Sequence, residues 1–355
     1  MIASGQFTLV LSGGGMKGLA HIGVLRALAE RGLTPSLVVG TSMGSLIGAA
    51  WATGMPMPEM LDRARRIRRR DIFQIAHADM ALRRMRAPAI YRREPLYTLI
   101  TDLVGTRTFQ DLPNRLLVNT VDLQTGSQVL WGGPGLQDVS VADAVFASCA
   151  LPGIYPPRIL AGRHCVDGAV IDNLPVRAAA EAIHQPIIAV DVGASTLVRP
   201  ESDGTGFAAT YMRALEIQMQ TLTANQLESW TSPALLLVRP RVEHLPTFTF
   251  DRTDELLEEG YQATNHMFMR LDAYGHVNGG GIYPKKVMRV LVSPERCVGC
   301  GSCVALAPGV FRMNGGGKAE VVSPRQVWSP IDGSYVLKCP TRAISARAVE
   351  SGPER

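Results

Sequence analysis

The chain has 355 residues, 46% of them apolar and 19% charged, with a formal net charge of +5. That length predicts two domains and a sizeable core, and the composition is that of an ordinary globular protein. No stretch offers the roughly 20 continuous apolar residues that a membrane-spanning helix needs, and neither an internal repeat nor a long low-complexity tract is present. The first residues, MIASGQFTLVLSGGG, carry no charged leader and no cleavable apolar stretch. The expected location is therefore cytoplasmic, with peripheral attachment at the inner membrane face left open.

In chain order, the first two hundred residues alternate short apolar runs with helical periodicity. Residues 7–11 predict a strand, 16–31 a helix, 37–39 a second strand and 43–53 a helix of small residues. Further strands are expected at 116–121, 127–131, 159–166, 187–192 and 235–238, and helices at 139–148, 176–184, 211–230 and 254–274. The alternation predicts an α/β fold, an open sheet with helices on both faces. Helices at 56–70 and 95–104 fall where an inserted cap would lie, within 55–105. The glycines of GHVNGGGIYPKK, 275–286, break the preceding helical pattern. The expected organisation is a first domain over 7–278, a linker over 279–286 and a small second domain over 287–349.

Gly40-Thr41-Ser42-Met43-Gly44 is a G-x-S-x-G pentapeptide between a predicted strand and a predicted helix, the context a nucleophile elbow needs. The bland reading is a turn capping a helix. An elbow would instead lift the Ser42 hydroxyl above the sheet at the positive end of the helix dipole, with no room for side chains at Gly40 and Gly44. Ser12-Gly13-Gly14-Gly15-Met16-Lys17-Gly18 also joins a strand to a helix. Its spacing fits the dinucleotide fingerprint, but that fingerprint wants an acid about 20 residues on, at the end of the second strand. Here that strand ends in the serine elbow. The other reading is an oxyanion hole built from the amides of Gly13, Gly14 and Gly15. Ser42 also needs a base. Asp167-Gly168-Ala169 follows a predicted strand, which puts a carboxylate at the rim of an open sheet; taken alone, Asp-Gly is more simply a β-turn.

Together these segments resemble the patatin-like phospholipase family, whose pattern is a G-G-G-x-[RK]-G loop, a G-x-S-x-G elbow and a D-G-[AG] motif. All three occur in that order within 12–169. Ala147-Ser148-Cys149-Ala150-Leu151-Pro152 resembles the family's A-S-x-A-x-P segment, and the resemblance spans roughly 7–200. It implies a patatin-like open sheet with a nucleophile elbow, and a lipid ester substrate, phospholipid above all. It also implies a Ser–Asp dyad without histidine. Asp167 would take the Ser42 proton, Ser42 would form an acyl-enzyme, and water would release the acid, while Gly13, Gly14 and Gly15 hold the oxyanion. Lys17, Gly18, Gly40, Gly44 and Gly168 support these motifs. Lys17 stands where plant patatins carry Arg and lacks its bidentate fork. Cys149 replaces a common second Ser and reads as a small core residue. The alternative is a Ser-acid-His triad, because His244, His266 and His276 follow Asp167. None of them sits in a recognisable loop after a strand, and His21 reads as packing.

Residues 60–93 hold eleven arginines against Asp62, Asp71 and Asp79, a local charge of +8 that leaves −3 for the rest of the chain. Most such runs are solvated helix faces. The functional reading is a cap meeting an anionic membrane surface, at about 1 kcal/mol per basic residue. Nucleic acid is not an expected partner, since stacking aromatics and recognition motifs are lacking.

Of six cysteines, Cys297, Cys300 and Cys303 stand at x2 spacing and Cys339 precedes Pro340. Without a secretion signal this favours metal or redox chemistry over disulfides. The segment strongly resembles bacterial single-cluster ferredoxins over nearly all of 287–349. That implies a small α+β ferredoxin-like domain, one 4Fe-4S cluster on Cys297, Cys300, Cys303 and Cys339, and an electron-transfer partner. Ala307 stands where two-cluster ferredoxins place a further cysteine, and zinc is the alternative for four thiolates. The expectation for the whole chain is a serine lipid acyl hydrolase, of phospholipase A or esterase type, fused to an electron-transfer or redox-sensing domain. The alternatives are a redox carrier or sensor whose first domain docks lipid or a partner, and an acyltransferase, which would share every motif.

Overall fold

A computed structural model describes residues 3–76, 89–193, 206–274, 277 and 279–349, the side chains of 207–209 and 273–274 excepted. The main sheet contains β1 (Thr8–Leu11), β2 (Leu37–Thr41), β3 (Leu116–Asp122), β4 (Ser127–Trp131), β5 (Arg158–Leu160), β6 (Arg163–Asp167), β7 (Ile187–Val190), β8 (Ala234–Val238) and β9 (Gly281–Tyr283). Their order is β5-β6-β3-β2-β1-β7-β8-β9, with β4 also paired to β3. β3, β2, β1, β7, β8 and β9 pair in parallel, whereas β4 and β6 run antiparallel to β3.

The parallel strands are apolar without alternation because both of their faces are covered. Leu9, Val38, Ile188 and Leu236 point into one core, and their neighbours Val10, Val39, Ala189 and Leu237 into another. Helices α1 (Ala20–Glu30), α2 (Met43–Ala52), α3 (Met57–Arg66), α4 (Arg69–Ile72), α5 (Glu94–Val104), α6 (Val141–Cys149), α7 (Val176–Ala182), α8 (Phe207–Glu228) and α9 (Thr253–Tyr274) complete this unit. Leu25, Leu46, Ile100, Val145 and Leu256, from α1, α2, α5, α6 and α9, fill the first core; Val176 and Ala179 of α7 and Leu227 of α8 fill the second. Among the described residues, no helix is long and apolar enough to cross a membrane.

Three expectations change. The strand expected at 159–166 is a hairpin, β5–β6, turned at Ala161 and Gly162 with φ of 46° and 80°; positive φ at both central residues suits the twist of a tight hairpin. The helix expected at 16–31 begins instead as a 3-10 turn over Gly15–Leu19 before α1. The linker expected at 279–286 is mostly structured: Gly281–Tyr283 pairs with β8 as an edge strand, leaving Pro284 and Lys285 before β10 (Lys286–Val292).

β10 lies between β13 (Arg325–Trp328) and β14 (Ile344–Ala348), both antiparallel to it, and β11 (Phe311–Met313) pairs with β12 (Ala319–Val321). With α10 (Ser302–Leu306) and α11 (Ser334–Leu337) these strands enclose a separate core of Val290, Phe311, Trp328, Tyr335 and Ile344. The result is a small α+β unit of its own.

Candidate active site

β2 ends at Thr41 and α2 begins at Met43, which leaves Ser42 at the corner with φ 53° and ψ −125°. That backbone region is costly for any residue with a β-carbon, so its surroundings must hold it. The Ser42 amide donates to Ser148 Oγ at 2.9 Å, Ser148 Oγ donates to the Asn119 carbonyl at 2.7 Å, and Ser45 Oγ donates to the Ser42 carbonyl at 2.6 Å. A β-carbon on Gly44 would stand 2.3 Å from the Leu11 carbonyl oxygen, and one on Gly40 would stand 2.6 Å from the Ser45 backbone.

Asp167 reaches Ser42 through β3. Thr41 pairs with Asn119, and the next residue of β3, Thr120, pairs with Asp167. Asp167 is 2% exposed, and its carboxyl group accepts from the Ala169 amide at 2.9 Å and feels the Ser42 hydroxyl. Burial lifts its pKa from 3.8 to about 7, against the pull of the Ala169 amide and the Ser42 hydroxyl. Gly168 follows with no space for a side chain, since a β-carbon would lie 2.4 Å from Asn119 Nδ2. Asn119, fully buried, ties these pieces together. Its Nδ2 donates to Thr41 Oγ1 at 3.0 Å and to the Asp172 carbonyl at 2.8 Å, and its Oδ1 accepts from Gln128 at 2.9 Å. Sequence reasoning passed over Asn119 and gave Ser148 no role; the signal for Asn119 was an amide inside the apolar run LLVNTVD.

The glycine loop passes directly over Ser42, so that a β-carbon on Gly13 would lie 3.0 Å from that of Ser42. The Gly13 amide is engaged by the Asn173 carbonyl at 3.3 Å and that of Met16 by the Thr247 carbonyl at 2.9 Å. Among the described residues, the Gly14 and Gly15 amides have no backbone acceptor, unlike that of Gly13, the third of the expected trio. His21 steadies the loop from beneath: fully buried, it donates from Nε2 to the Ser12 carbonyl at 2.8 Å, and burial pushes its pKa down to about 4. Gly18 packs where a β-carbon would strike Met43 Cγ at 2.4 Å, and Lys17, 6% exposed, lines the cavity.

Above Ser42 and Asp167 opens a cavity of about 440 Å³. Leu46, Ile72, Phe73, Leu96, Ile154 and Tyr155 make part of its wall apolar, and Asp191, Glu216, Gln220, Arg239 and Thr247 contribute polar groups. Cys149, expected as a core residue, lines this cavity; burial, then the charge of Asp167, pushes its thiol up. No histidine among the described residues lines the cavity. His244 pairs with Glu255 at 2.8 Å on the surface, His266 lies on α9, and His276 falls outside the described residues.

The basic stretch is less free than its composition suggests. Arg83, Arg84, Arg86 and Asp79 lie outside the described residues. Of the other eight arginines, six (Arg63, Arg65, Arg66, Arg70, Arg92 and Arg93) lie within 4.0 Å of a carboxylate. Arg68 donates to the Arg65 and Ile67 carbonyls, and Arg69 sits 5.9 Å over the Phe73 ring.

In the smaller unit, Cys297, Cys300, Cys303 and Cys339 line one cavity of about 20 Å³. Gly299 and Gly301, both at φ 73°, turn the chain so that cysteines at x2 spacing reach it. The Ala319 amide donates to Cys297 Sγ at 3.4 Å and the Ala343 amide to Cys339 Sγ at 3.3 Å, while Ser302 Oγ lies 3.5 Å from Cys300 Sγ. Val292, Leu306 and Ile344 supply apolar wall. Among the described residues, no group of three His, Cys, Asp or Glu side chains is placed to hold a single metal ion. A cluster asks for something else, because each thiolate binds its own iron and the sulfurs need only surround one cavity. Four soft ligands, amide donors to sulfur and an apolar wall fit such a group.

A mostly parallel sheet with a strained serine at the end of its second strand, and a buried carboxyl group lining the same cavity, defines a serine-hydrolase scaffold. Residues 9–180 match the family described as patatin-like phospholipase, and residues 292–346 match the 4Fe-4S single cluster domain of ferredoxin I. The chain therefore joins a region that matches patatin-like phospholipases to a region that matches a single-cluster ferredoxin domain. An uncharacterized NTE family protein of Mycobacterium tuberculosis is 32% identical over 193 residues, covering 54% of this chain and 51% of that protein. Lysophospholipase NTE1 of Coccidioides immitis is 28% identical over 314 residues, covering 81% of this chain and 19% of that protein. The chain thus spans about half, or less, of the length of these relatives. Among solved structures, VipD from Legionella pneumophila is 16% identical, with a TM-score of 0.43 over 74% of this chain and 67% of that chain. Hydrogenobacter thermophilus ferredoxin 1 is 28% identical over 18% of this chain and 99% of that chain, with a TM-score of 0.16.

Proposed function

We propose that this chain is a serine acyl hydrolase of lipid carboxylic esters, with Ser42 as nucleophile and Asp167 as its base. The observation that carries the reading is strained Ser42 lining the same cavity as a carboxyl group buried at its foot. A carboxylate lifted to about 7 is a far better base than one at 3.8, and is still ionised in good part near neutral pH. Asp167 takes the Ser42 proton as Oγ attacks the ester carbonyl carbon. The negative oxygen of the tetrahedral intermediate faces the Gly14 and Gly15 amides, and the positive end of α2 at Ser42 adds to the field. Asp167 returns its proton to the departing alcohol, leaving an acyl-Ser42. It then takes a proton from water, whose oxygen attacks the acyl carbon; release of the acid restores Ser42 and Asp167.

The apolar wall suits the acyl chain, and the polar groups suit the alcohol side of the ester. The family matched and the name of the Coccidioides relative support a phospholipid or lysophospholipid as that ester. Cys297, Cys300, Cys303 and Cys339 hold one 4Fe-4S cluster, which when bound supplies one-electron chemistry. Contact with an anionic membrane surface has a narrower basis than eleven arginines. It rests on Arg68 and Arg69 and on Ile75, which is 45% exposed.

The test is fatty-acid release from mixed phospholipid and lysophospholipid micelles by anaerobically purified protein, beside Ser42→Ala and Asp167→Asn. The expected loss is about a thousandfold or more in each variant. Equal release by Ser42→Ala would overturn the reading, and transfer of the acyl group to an added alcohol in place of water would redirect it to acyl transfer.

A further inference from the structure

The smaller unit touches the hydrolase cavity through one short turn. Between β13 and α11, the Ser329 amide donates to Asp332 Oδ2 at 2.6 Å and the Asp332 amide to the Ser329 carbonyl at 3.2 Å. The two residues between them reach out of their own unit. Ile331 packs against the second core of the main sheet. The Pro330 carbonyl accepts from Arg239 Nη1 at 3.4 Å. On its other side α11 alone separates the turn from Cys339.

Arg239 directly follows β8, and its guanidinium faces two ways. Nη1 points to Pro330, while Nε lies 3.3 Å from Asp191 Oδ2, a carboxylate 4% exposed. Arg239 and Asp191 both line the cavity. Asp191 orders the segment that walls the glycine loop: its Oδ1 accepts from the Gly193 amide at 3.2 Å, and the neighbouring Val192 amide donates to Ser12 Oγ at 3.0 Å. Val192 Cγ2 presses on Gly14, where a β-carbon would meet it at 2.6 Å. The contacts therefore run without a gap from the turn beside Cys339 to the loop over Ser42.

We propose that Arg239 is a positioning residue of the hydrolase cavity whose geometry is set by the cluster-bearing unit, so that cluster binding and occupation of Ser42 stabilise one another. This rests on the hydrolase reading above. A rigid planar fork can hold two partners in fixed relation, which a flexible ammonium cannot. When a tetrahedral group sits against Gly14 and Gly15, the wall at 191–193 is fixed, and with it Arg239, Pro330 and the turn leading to Cys339. Linkage makes the effect reciprocal.

The experiment uses the full chain with its cluster, purified anaerobically. A fluorophosphonate labels Ser42, forming an Oγ–phosphorus bond as fluoride leaves. The rate at which 2,2′-bipyridyl strips the cluster is then followed by loss of its visible absorbance. Labelled wild type should lose its cluster about fivefold more slowly than unlabelled. That ratio should fall to one in Arg239→Ala, and in Ile331→Ala, which loosens the turn from the other side without touching the cavity. A merely structural role for Arg239 would speed stripping equally with and without label. A ratio of one in labelled wild type, or an undiminished ratio in both variants, overturns the inference alone. A Ser42 that takes no label overturns the hydrolase reading and this inference with it.

Discussion

Asp167 faces Thr120 across the sheet, one position beyond the Asn119 that faces Thr41. One edge of β3 is thus shared by two strands, β2 ending there and β6 arriving from the opposite direction. β4 occupies the other edge over the same residues, which fixes β6 on the side of β2. Ser42, next after Thr41, meets Asp167 because two strand ends abut on one template. The register of a backbone ladder, rather than the reach of long side chains, sets their separation; a slip of one residue would turn Asp167 to the other face.

The pH dependence should separate catalysis from stability at Asp167. As a base it works ionised, so kcat/KM should rise through a pH of about 7 and level off above it. For stability the sign is opposite. The folded value of about 7 exceeds the ordinary 3.8, so the fold favours the protonated acid. That contribution is complete below 3.8 and is lost as pH rises through about 7. Asp167→Asn, neutral throughout, should be inactive yet gain melting temperature over wild type, more at a pH of about 8 than at about 5. Scanning calorimetry at both values checks this; a gain that does not grow with pH refutes it.

Asn119→Ala removes the amide that joins Thr41 to the Asp172 carbonyl, leaving buried acceptors short of a donor at a cost of about 1–3 kcal/mol. Because it displaces both halves of the dyad, kcat should fall about tenfold or more while KM holds. Asn119→Asp sets a second carboxyl group against the Gly168 turn and should move the rising limb of the pH profile upward. Steady-state kinetics across pH measure both effects, and a change confined to KM would rule out the positioning role.

Gly44→Ala should cost about 3 kcal/mol or more, since its β-carbon would lie 2.3 Å from the Leu11 carbonyl oxygen and backbone on both sides cannot yield. Gly309→Ala, where nothing stands within 4 Å, serves as the control. Chemical denaturation of the two variants should separate them clearly.

Six paired arginines leave a modest basic face, so sedimentation should show a preference for anionic over neutral vesicles that disappears at about 1 M salt. Replacing both Arg68 and Arg69 with Glu should abolish it at low salt. Binding that ignores lipid charge would dismiss the membrane contact.

Much of this fold was legible because strands buried on both faces read as unbroken apolar runs, as in β7 and β8. The β5–β6 hairpin was not, since Ala161-Gly162 is no strong turn signal and the eight residues ILAGRHCV read as one strand. Ser42, Asp167 and the glycine loop stood out because each breaks a predicted strand or helix at a defined place. Asn119 and Ser148 did not, because their partners lie 78 and 106 residues away in the chain. Arg239 and Asp191 are likewise 48 residues apart, and only the sheet order brings β7 beside β8.

The edge strand β9 decides where the molecule can be divided. Its sequence, in a run of glycines, invites a cut just before residue 281, yet that cut would remove the strand covering β8. The bared backbone donors and acceptors of β8 would then offer a template for strands of other molecules. Any swap of the smaller unit for another, by experiment or by recombination, keeps β8 covered only if the exchange falls after Tyr283, in the two residues before β10.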